Sequence, residues 1–288
     1  MAQKDVIIKI VREDNETFLI DNVDMFIPSD GLSGFGSFST DIDSVDNAIG
    51  DGGVITSERL TLKDRTIKAN VVDTKKNEAL RHSIIKFFVP HKIYKVYLTY
   101  MGYTRWCEGY LYKCQLSEGN IYKPVTLTFT IMCANPFLKS YDDFGEDIAS
   151  VTGMAAFPYL CAIDHPIPTG VYNFTKDVRL LNDGDVATFC KVTMMADEDV
   201  TNPKFIINGK YVRIIDTMVK GDTIDIDFSA QPPTVRKNGL NIIGKTDRTS
   251  TFNNMQLDVG DNTISYTADS GDTNMRVSVY YNKLYAMI

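Results

Sequence analysis

The chain has 288 residues, of which 44% are hydrophobic and 23% charged, a balance typical of globular proteins and unlike that of disordered chains. This length favours two domains over one. The net charge of −7 argues against general nucleic-acid binding, which needs a basic surface. The start of the chain lacks the apolar stretch of a signal peptide, and apolar-leaning runs such as residues 84–89 are too short to cross a bilayer. We therefore expect a protein that is made in the cytoplasm and does not insert into a membrane.

Two short strands are predicted at the start of the chain, over residues 5–11 and 16–20, where β-branched residues flank the turn residues 13–15. A polar, glycine-rich tract follows over residues 28–53. A structureless loop of this length is unusual in a compact domain unless a neighbour orders it. We therefore predict a long loop that is either mobile or ordered by a neighbour.

The next segment, residues 54–72, is predicted to be a β-hairpin with a break at residues 63–64 and a charged solvent face. A hairpin this charged resists random edge aggregation, yet it can pair with a chosen partner. Its charged residues are the candidate interface: Glu58, Arg59, Lys63, Arg65 and Lys68.

One helix is predicted, over residues 75–89, with Thr74 as its N-cap and Pro90 ending it. Its apolar residues fall at i, i+4, i+7 and i+8 and form one stripe that should pack on a sheet: Leu80, Ile84, Phe87 and Phe88. Three strands rich in β-branched and aromatic residues follow, over 92–100, 104–116 and 123–133. A helix flanked by strands in this order indicates an α+β domain with a mostly antiparallel sheet.

The rest of the chain is predicted to be an antiparallel β-sandwich, because turn signals recur between short alternating segments. In residues 220–227, isoleucines alternate with aspartates after a Lys-Gly-Asp turn. The predicted organisation is an N-terminal domain over 1–138, a linker over 139–156 and a C-terminal sandwich over 157–288. The fold class is thus mainly β.

No catalytic constellation emerges. Asp225 and Asp227 share one face of a strand, but the opposite face carries isoleucines, so we interpret the aspartates as the solvated face. The glycine pairs in the 28–53 tract lack the following helix that a dinucleotide site needs. The histidines His82, His91 and His165 have no serine or cysteine partner in sequence. We expect that the protein is not an enzyme.

Metal binding is not indicated either. The number of cysteines, five, is odd, no two of them are spaced C-x-x-C, and none of the three histidines lies beside a cysteine pair. We expect no metal, no cofactor and reduced thiols that act as small apolar residues, at Cys107, Cys114, Cys133, Cys161 and Cys190.

Trp106, the only tryptophan, lies among several tyrosines. Exposed aromatic residues of this kind stack on sugars or anchor protein contacts, whereas buried ones form part of a core. Because these residues lie on strands next to the amphipathic helix, we favour a core cluster between sheet and helix.

The order of these parts resembles the distal tail proteins of siphophages, a family of phage tail components. The resemblance spans nearly the whole chain, and the motifs that carry it are Cys133-Ala-Asn-Pro-Phe137, Leu181-Asn-Asp-Gly-Asp185, Lys220-Gly-Asp-Thr-Ile-Asp-Ile-Asp227, Val235-Arg-Lys-Asn-Gly239 and Leu257-Asp-Val-Gly-Asp-Asn262. It implies an N-terminal domain that forms a homohexameric ring and a galectin-like C-terminal sandwich. It also implies a structural hub at the tail tip of the virion. The implied partners are the tail tube protein and the tip hub or receptor-binding proteins.

Two functions therefore remain open at this point. One is a structural hub whose hairpin of residues 54–72 makes an inter-subunit contact in a closed ring, which needs two different patches on each subunit. The other is a carbohydrate-binding module or adhesion accessory protein that uses the C-terminal sandwich. Nucleic-acid binding is expected in neither.

Overall fold

The computed structural model describes residues 6–118, 123–141, 144–147, 149–153, 170–174 and 177–288. The chain forms two compact units, which we call the N-terminal unit (Met1–Tyr141 with Leu284–Ile288) and the C-terminal unit (Asp142–Lys283). Part of the predicted linker, together with Cys161 and His165, lies outside the described residues. No helix within the described ranges is long and apolar enough to span a membrane.

The N-terminal unit is built on an antiparallel sheet. The first eleven strands of the chain are β1 (Val6–Arg12), β2 (Thr17–Ile20), β3 (Met25–Phe26), β4 (Leu32–Ser33), β5 (Thr40–Asp46), β6 (Gly53–Leu60), β7 (Lys63–Val71), β8 (Ile93–Tyr100), β9 (Tyr103–Leu116), β10 (Thr126–Cys133) and β11 (Leu138–Ser140). The main sheet has the strand order β2-β1-β8-β9-β10-β7-β3, and β4 pairs with β7. The strands predicted near residues 5–11, 16–20 and 92–133 are confirmed.

Helix α1 (Asn77–Phe87) follows a short 3₁₀ turn, Thr74–Lys76. Thr74, the predicted N-cap, lies inside this turn. The turn is capped by Asp73, whose side chain accepts a hydrogen bond from the Lys75 backbone N–H at 3.0 Å, and α1 itself begins after Lys76 without a side-chain cap. At the other end, the buried guanidinium of Arg12 donates to the carbonyl oxygens of Lys86 and Phe87, at 3.2 and 2.8 Å. A cation at carbonyls that have no partner within the helix stabilises the end of the helix.

The predicted apolar stripe of α1 packs on the sheet. Ile84 and Phe87 are buried, and Phe88, which follows the helix, lies 4.8 Å from the ring of Phe129 on β10. Leu80 packs at the edge of the same cluster. Burying apolar surface in this way is the main source of stability for a helix on a sheet.

The segment predicted as a hairpin over 54–72 is not one, and this prediction was wrong. β6 pairs antiparallel with β5, whereas β7 belongs to the main sheet, between β10 and β3. β4 and β5 lie inside the tract that was predicted to be a loop, and that prediction was also wrong for residues 32–33 and 40–46. The real hairpin is β5–β6 (Thr40–Leu60), and we call it the acidic hairpin.

The C-terminal unit is built mainly on two antiparallel sheets. Its strands are β12 (Phe144–Asp147), β13 (Ala149–Gly153), β14 (Gly170–Phe174), β15 (Asp177–Asn182), β16 (Thr188–Ala196), β17 (Val200–Thr201), β18 (Lys204–Ile207), β19 (Lys210–Arg213), β20 (Thr217–Met218), β21 (Thr223–Asp227), β22 (Thr234–Lys237), β23 (Leu240–Asn241), β24 (Gln256–Leu257), β25 (Gly260–Thr267) and β26 (Met275–Tyr281). One sheet runs β12-β26-β16-β21-β22-β23 and the other β15-β25-β18-β19. The alternating residues of both sheets share one buried cluster, which is the arrangement of a β-sandwich.

Turn chemistry joins these strands as the sequence indicates. Gly271 has φ +75°, and a Cβ there would lie 2.2 Å from the carbonyl oxygen of Asp199, so only glycine fits. Asn208 and Asn238 also adopt positive φ in the turns that precede β19 and β23. The glycine and asparagine residues of the sequence therefore predicted the positions of these turns correctly.

The last residues of the chain return to the N-terminal unit. Strand β27 (Leu284–Tyr285) pairs with β11, and the backbone N–H of Ile288 donates to the carbonyl oxygen of Phe35 at 3.0 Å. The sequence-based prediction placed the chain end in the C-terminal domain, residues 157–288. In the structure the C-terminal unit ends at Lys283, and the last five residues belong to the N-terminal unit.

Candidate interaction surface

The acidic hairpin is exposed on both faces. In β5 and β6 every residue is exposed except Thr40 and Leu60 at the base, which are half-buried. Pairing in register joins the two strands, with a bulge after Asp43. A two-stranded hairpin without a core beneath it is marginally stable in water. Contacts beyond the hairpin itself are therefore needed to hold it firmly.

Large apolar side chains point from this hairpin into solvent. The exposed fractions are 52% for Ile42, 60% for Val45 and Val54, 64% for Ile55 and 96% for Ile49 in the connecting turn. Scattered exposed apolar residues are normal, but a concentration on one projecting element marks an interaction site. The hairpin is thus the strongest candidate for a protein contact in the N-terminal unit.

Two of the predicted interface residues lie on this hairpin. Glu58 is exposed on β6, and the Arg59 guanidinium, with a side chain 72% exposed, donates from Nη2 to Asp41 Oδ2 across the hairpin at 3.0 Å. An ion pair this exposed contributes little to stability, about 0–1 kcal/mol. Arg59 therefore helps to fix the register of the hairpin while most of its surface remains available to a partner.

The other three predicted residues lie on β7, in the main sheet. Lys63 is half-buried at the start of the strand, and Lys68 forms an exposed ion pair with Asp30 at 3.1 Å. Arg65 is only 1% exposed, so its placement on the solvent face was wrong. The structure does not bring the five predicted residues together, because they divide between the projecting hairpin and the body of the unit.

Arg65 lies in the core because strand alternation turns it inward with Ile67 and Ala69. Its Nη2 donates to the carbonyl oxygen of Pro136 at 2.6 Å, and its guanidinium lies 5.7 Å from the centre of the Phe35 ring. Within the described part of the chain, Nε and Nη1 of Arg65 have no hydrogen-bond partner.

Buried thiols lie beside this guanidinium. A hydrogen bond with Cys107 and the positive charge of Arg65 lower the pKa of Cys133 to about 7. Both thiols are almost fully buried in the sheet, and Cys190 is buried in the C-terminal unit, whereas Cys114 is exposed. Burial closes Cys107 and Cys133 to a substrate, so this cluster does not form an open active site.

Trp106 lies on the outward face of the main sheet, away from α1, and the prediction of a core cluster was wrong. Its half-buried ring stacks on Tyr97 at 5.8 Å, and Tyr97 meets Tyr141 edge-on at 5.8 Å. The Nζ atoms of Lys139 and Lys95 lie 4.6 and 5.5 Å from the Trp106 ring centre. Cation–π contacts therefore hold an accessible aromatic patch on this face.

The remaining chemical candidates have ordinary surroundings. His82 and His91 are exposed, and Asp225 and Asp227 lie on the outward face of their sheet, bonded to Thr193 and Lys191. Among the residues that the structure describes, no three His, Cys, Asp or Glu side chains could together hold a metal ion. Among the described residues, the exposed surfaces of the N-terminal unit are therefore stronger candidates for a functional site than any cluster of reactive side chains.

Comparison with solved structures gives the fold of the whole chain. SPP1 Dit (gp 19.1), described as a paradigm of hub adsorption apparatus in phages that infect Gram-positive bacteria, matches with a TM-score of 0.63 and 15% identity over 96% of this chain and 98% of that chain. Chains of the phage P2 baseplate in its activated conformation, with Ca or with Sr, match with a TM-score of 0.53 and 12% identity over 98% of this chain and 99% of theirs. The comparison with curated proteins gave no significant match.

Residues 183–285 match the family model described as siphovirus-type tail component, C-terminal domain. This part of the chain therefore resembles the C-terminal domain of that family, and the whole chain shares the fold of SPP1 Dit. The matched residues cover most of the C-terminal sandwich, from the turn after β15 to β27. The acidic hairpin and the aromatic patch lie in the N-terminal unit, outside the matched region.

Proposed function

We propose that this protein is a phage tail component that forms a homohexameric ring at the tip of the virion tail. There it joins the tail tube protein to the tip hub or receptor-binding proteins. It is made in the host cytoplasm, takes part in host attachment by assembly alone, and catalyses no reaction. The observation that carries this proposal is the acidic hairpin, which exposes apolar side chains on both faces and has no core of its own.

A closed ring needs two different patches on each subunit, and a projecting element that inserts into a neighbour supplies one of them. The acidic hairpin fits this role because its pairing leaves both faces open to an adjacent copy. Glu58 and Arg59 belong to this contact in our proposal. Lys63 and Lys68 lie on β7 and take part only where a neighbour reaches the body of the unit, and the buried Arg65 takes no part.

The relatives support this assignment as analogies. SPP1 Dit is described as a hub, and the phage P2 chains come from a baseplate, so both work inside assemblies. At 12–15% identity they share the fold, and the surfaces that make their contacts must be tested separately in this chain.

The test is the mass and symmetry of the purified full-length chain, measured alone and with its tail tube protein by native mass spectrometry and electron microscopy. We expect a six-fold ring for the wild type and its loss in a Val54→Asp/Ile55→Asp variant with an unchanged circular dichroism spectrum. Leu240→Asp is the matched control, because Leu240 is 74% exposed but lies on β23 of the C-terminal unit.

A chain that remains monomeric under both conditions and binds glycans in a screen would instead favour a carbohydrate-binding module. A ring that survives the hairpin substitutions would show that another surface closes the assembly.

A further inference from the structure

We propose that the acidic hairpin of one copy docks on the outward face of the main sheet of the next copy. The receiving surface, which we call the basic aromatic patch, consists of Lys9, Lys95, Tyr97, Trp106 and Lys139. The inference rests on the proposed ring and names the second of the two patches that such a ring requires.

Sheet register brings the patch together from distant parts of the chain. Lys9 on β1 pairs with Tyr97 on β8, Tyr97 pairs with Trp106 on β9, and Trp106 pairs with Lys139 on β11. These residues form a single row across four strands, with two stacked aromatic rings between two lysines. Lys95 stands in the adjacent row, opposite Glu108.

The patch is open to a partner. Lys9 is exposed, the Lys95 side chain is 46% exposed, and its ion pair with Glu108 spans a loose 3.7 Å. Tyr141, which meets Tyr97 at the margin of the patch, is 60% exposed. Tyrosine and tryptophan rings that are held rigidly and partly exposed are the side chains that most often anchor protein interfaces.

The hairpin complements this patch in charge. It carries the acids Asp41, Asp43, Asp46, Asp51 and Glu58 against the single base Arg59. Among the residues that the structure describes, the patch brings Lys9, Lys95 and Lys139 together on one face, with Glu108 beside Lys95. Opposite charges across an interface guide the encounter and fix the register of docking.

The hairpin and the patch also complement each other in their apolar groups. Val54 and Ile55 are exposed on β6, next to the acids, and no core covers them. Aromatic rings flanked by ammonium groups cover such a mixed surface, because the rings contact the aliphatic groups while the lysines pair with the carboxylates.

The C-terminal unit of a neighbouring copy is a less favourable docking site for the hairpin, because its net charge is negative. The C-terminal unit, residues 142–283, carries 13 Lys and Arg against 20 Asp and Glu. An acidic hairpin is repelled by such a surface, since like charges brought together raise the free energy of the complex. The basic aromatic patch is therefore the favoured docking site of the hairpin.

Charge reversal within one chain tests the contact. Lys9→Glu/Lys95→Glu is expected to abolish the ring seen by native mass spectrometry, and Asp46→Lys/Asp51→Lys to do the same. Because both patches lie on every subunit, the chain with all four substitutions is expected to recover the ring. Lys210→Glu/Lys220→Glu in the C-terminal unit is the matched control and is expected to assemble like the wild type.

Trp106 gives an independent readout, because it is the only tryptophan and lies in the patch. Quenching of its fluorescence by acrylamide is expected to decrease as the full-length chain assembles with rising concentration or with the tail tube protein. The Lys9→Glu/Lys95→Glu variant is expected to remain quenchable under the same conditions.

The outcomes separate the two proposals. A ring in which Trp106 stays as quenchable as in the monomer, or in which the two patch reversals have no effect, overturns the docking inference and leaves the ring intact. Failure of the fourfold variant to reassemble when each pair of reversals disrupts the ring also overturns it. A wild-type chain that never assembles, alone or with the tube protein, overturns both.

Discussion

The Nη2 atom of Arg65 donates a hydrogen bond to the carbonyl oxygen of Pro136 at 2.6 Å inside the N-terminal unit. The bond joins β7 to the segment between β10 and β11, and its two residues are 71 positions apart in sequence. Arg65 therefore belongs to the internal structure of the unit, and its replacement should alter folding before it alters assembly.

We expect Arg65→Glu to destabilise the N-terminal unit by about 3–5 kcal/mol, because a carboxylate at this site would be a buried charge facing the Pro136 carbonyl. Arg65→Met should cost less, about 1–3 kcal/mol, since it removes the charge and leaves only that carbonyl without a donor. Urea unfolding followed by Trp106 fluorescence measures both changes.

Arg59→Glu is the control for this pair, since the Arg59 side chain is 72% exposed and its ion pair with Asp41 is a surface one, so that the substitution should change stability by about 1 kcal/mol or less. Equal stability of Arg65→Glu and Arg59→Glu would contradict the internal role of Arg65.

The sequence contained the signal that places Arg65 inside. Arg65, Ile67, Ala69 and Val71 follow one another at intervals of two, so they share one face of β7. The general rule that arginine is exposed outweighed this alternation, although Val96 and Leu98 on β8 follow the same alternation and are buried. Trp106 was misplaced in a similar way, since its neighbour Cys107 faces the core and Trp106 must face away.

Pairing partners were harder to predict than strands. The β6 segment alternates well enough to pair with either neighbour, and sequence distance favoured β7. Its true partner, β5, contains three aspartates, which are depleted in strands and suggested a loop. The short return of the chain end as β27 gives no periodic signal, whereas the sandwich was predictable because its turn residues act locally.

Tyr94→Phe tests the packing between α1 and the sheet. Tyr94 is fully buried, and its hydroxyl accepts from the Val89 N–H at 2.8 Å and lies 3.1 Å from the Phe87 carbonyl oxygen, to which it donates. Removing the hydroxyl leaves the end of the helix without these bonds and should cost about 1–3 kcal/mol. Urea unfolding measures the loss, with the exposed Tyr110→Phe as a control expected to match the wild type.

The stability of the C-terminal unit should fall in acid through Asp222. Hydrogen bonds from the Val219 N–H and from Asn238, together with Lys237 at 2.9 Å, lower the pKa of Asp222 from 3.8 to about 2. Because the pKa is lower in the folded state, the stabilisation is complete above about pH 4 and is lost as the pH falls towards 2.

Asp222→Asn should therefore reduce stability by about 1–3 kcal/mol at pH 7 and make the acid dependence shallower between about pH 4 and pH 2. Amide exchange in β21, measured across this pH range after correction for intrinsic rates, reports the change. Asp225→Asn, on the outward face of the same strand, is the control. An unchanged pH profile in Asp222→Asn would assign the acid sensitivity to other carboxylates.

Hydrogen exchange of the acidic hairpin should depend on assembly. In a dilute monomer its amides are expected to exchange rapidly, because the β5–β6 ladder opens without disturbing a core. In the ring they should become protected, since docking covers the hairpin. The β8–β9 pair supplies the reference, because Val96, Leu98 and Cys107 are buried and their amides should exchange slowly in both states. Strong protection of the hairpin in the monomer would mean that its own pairing suffices to hold it, and the argument for a partner from its marginal stability would fail.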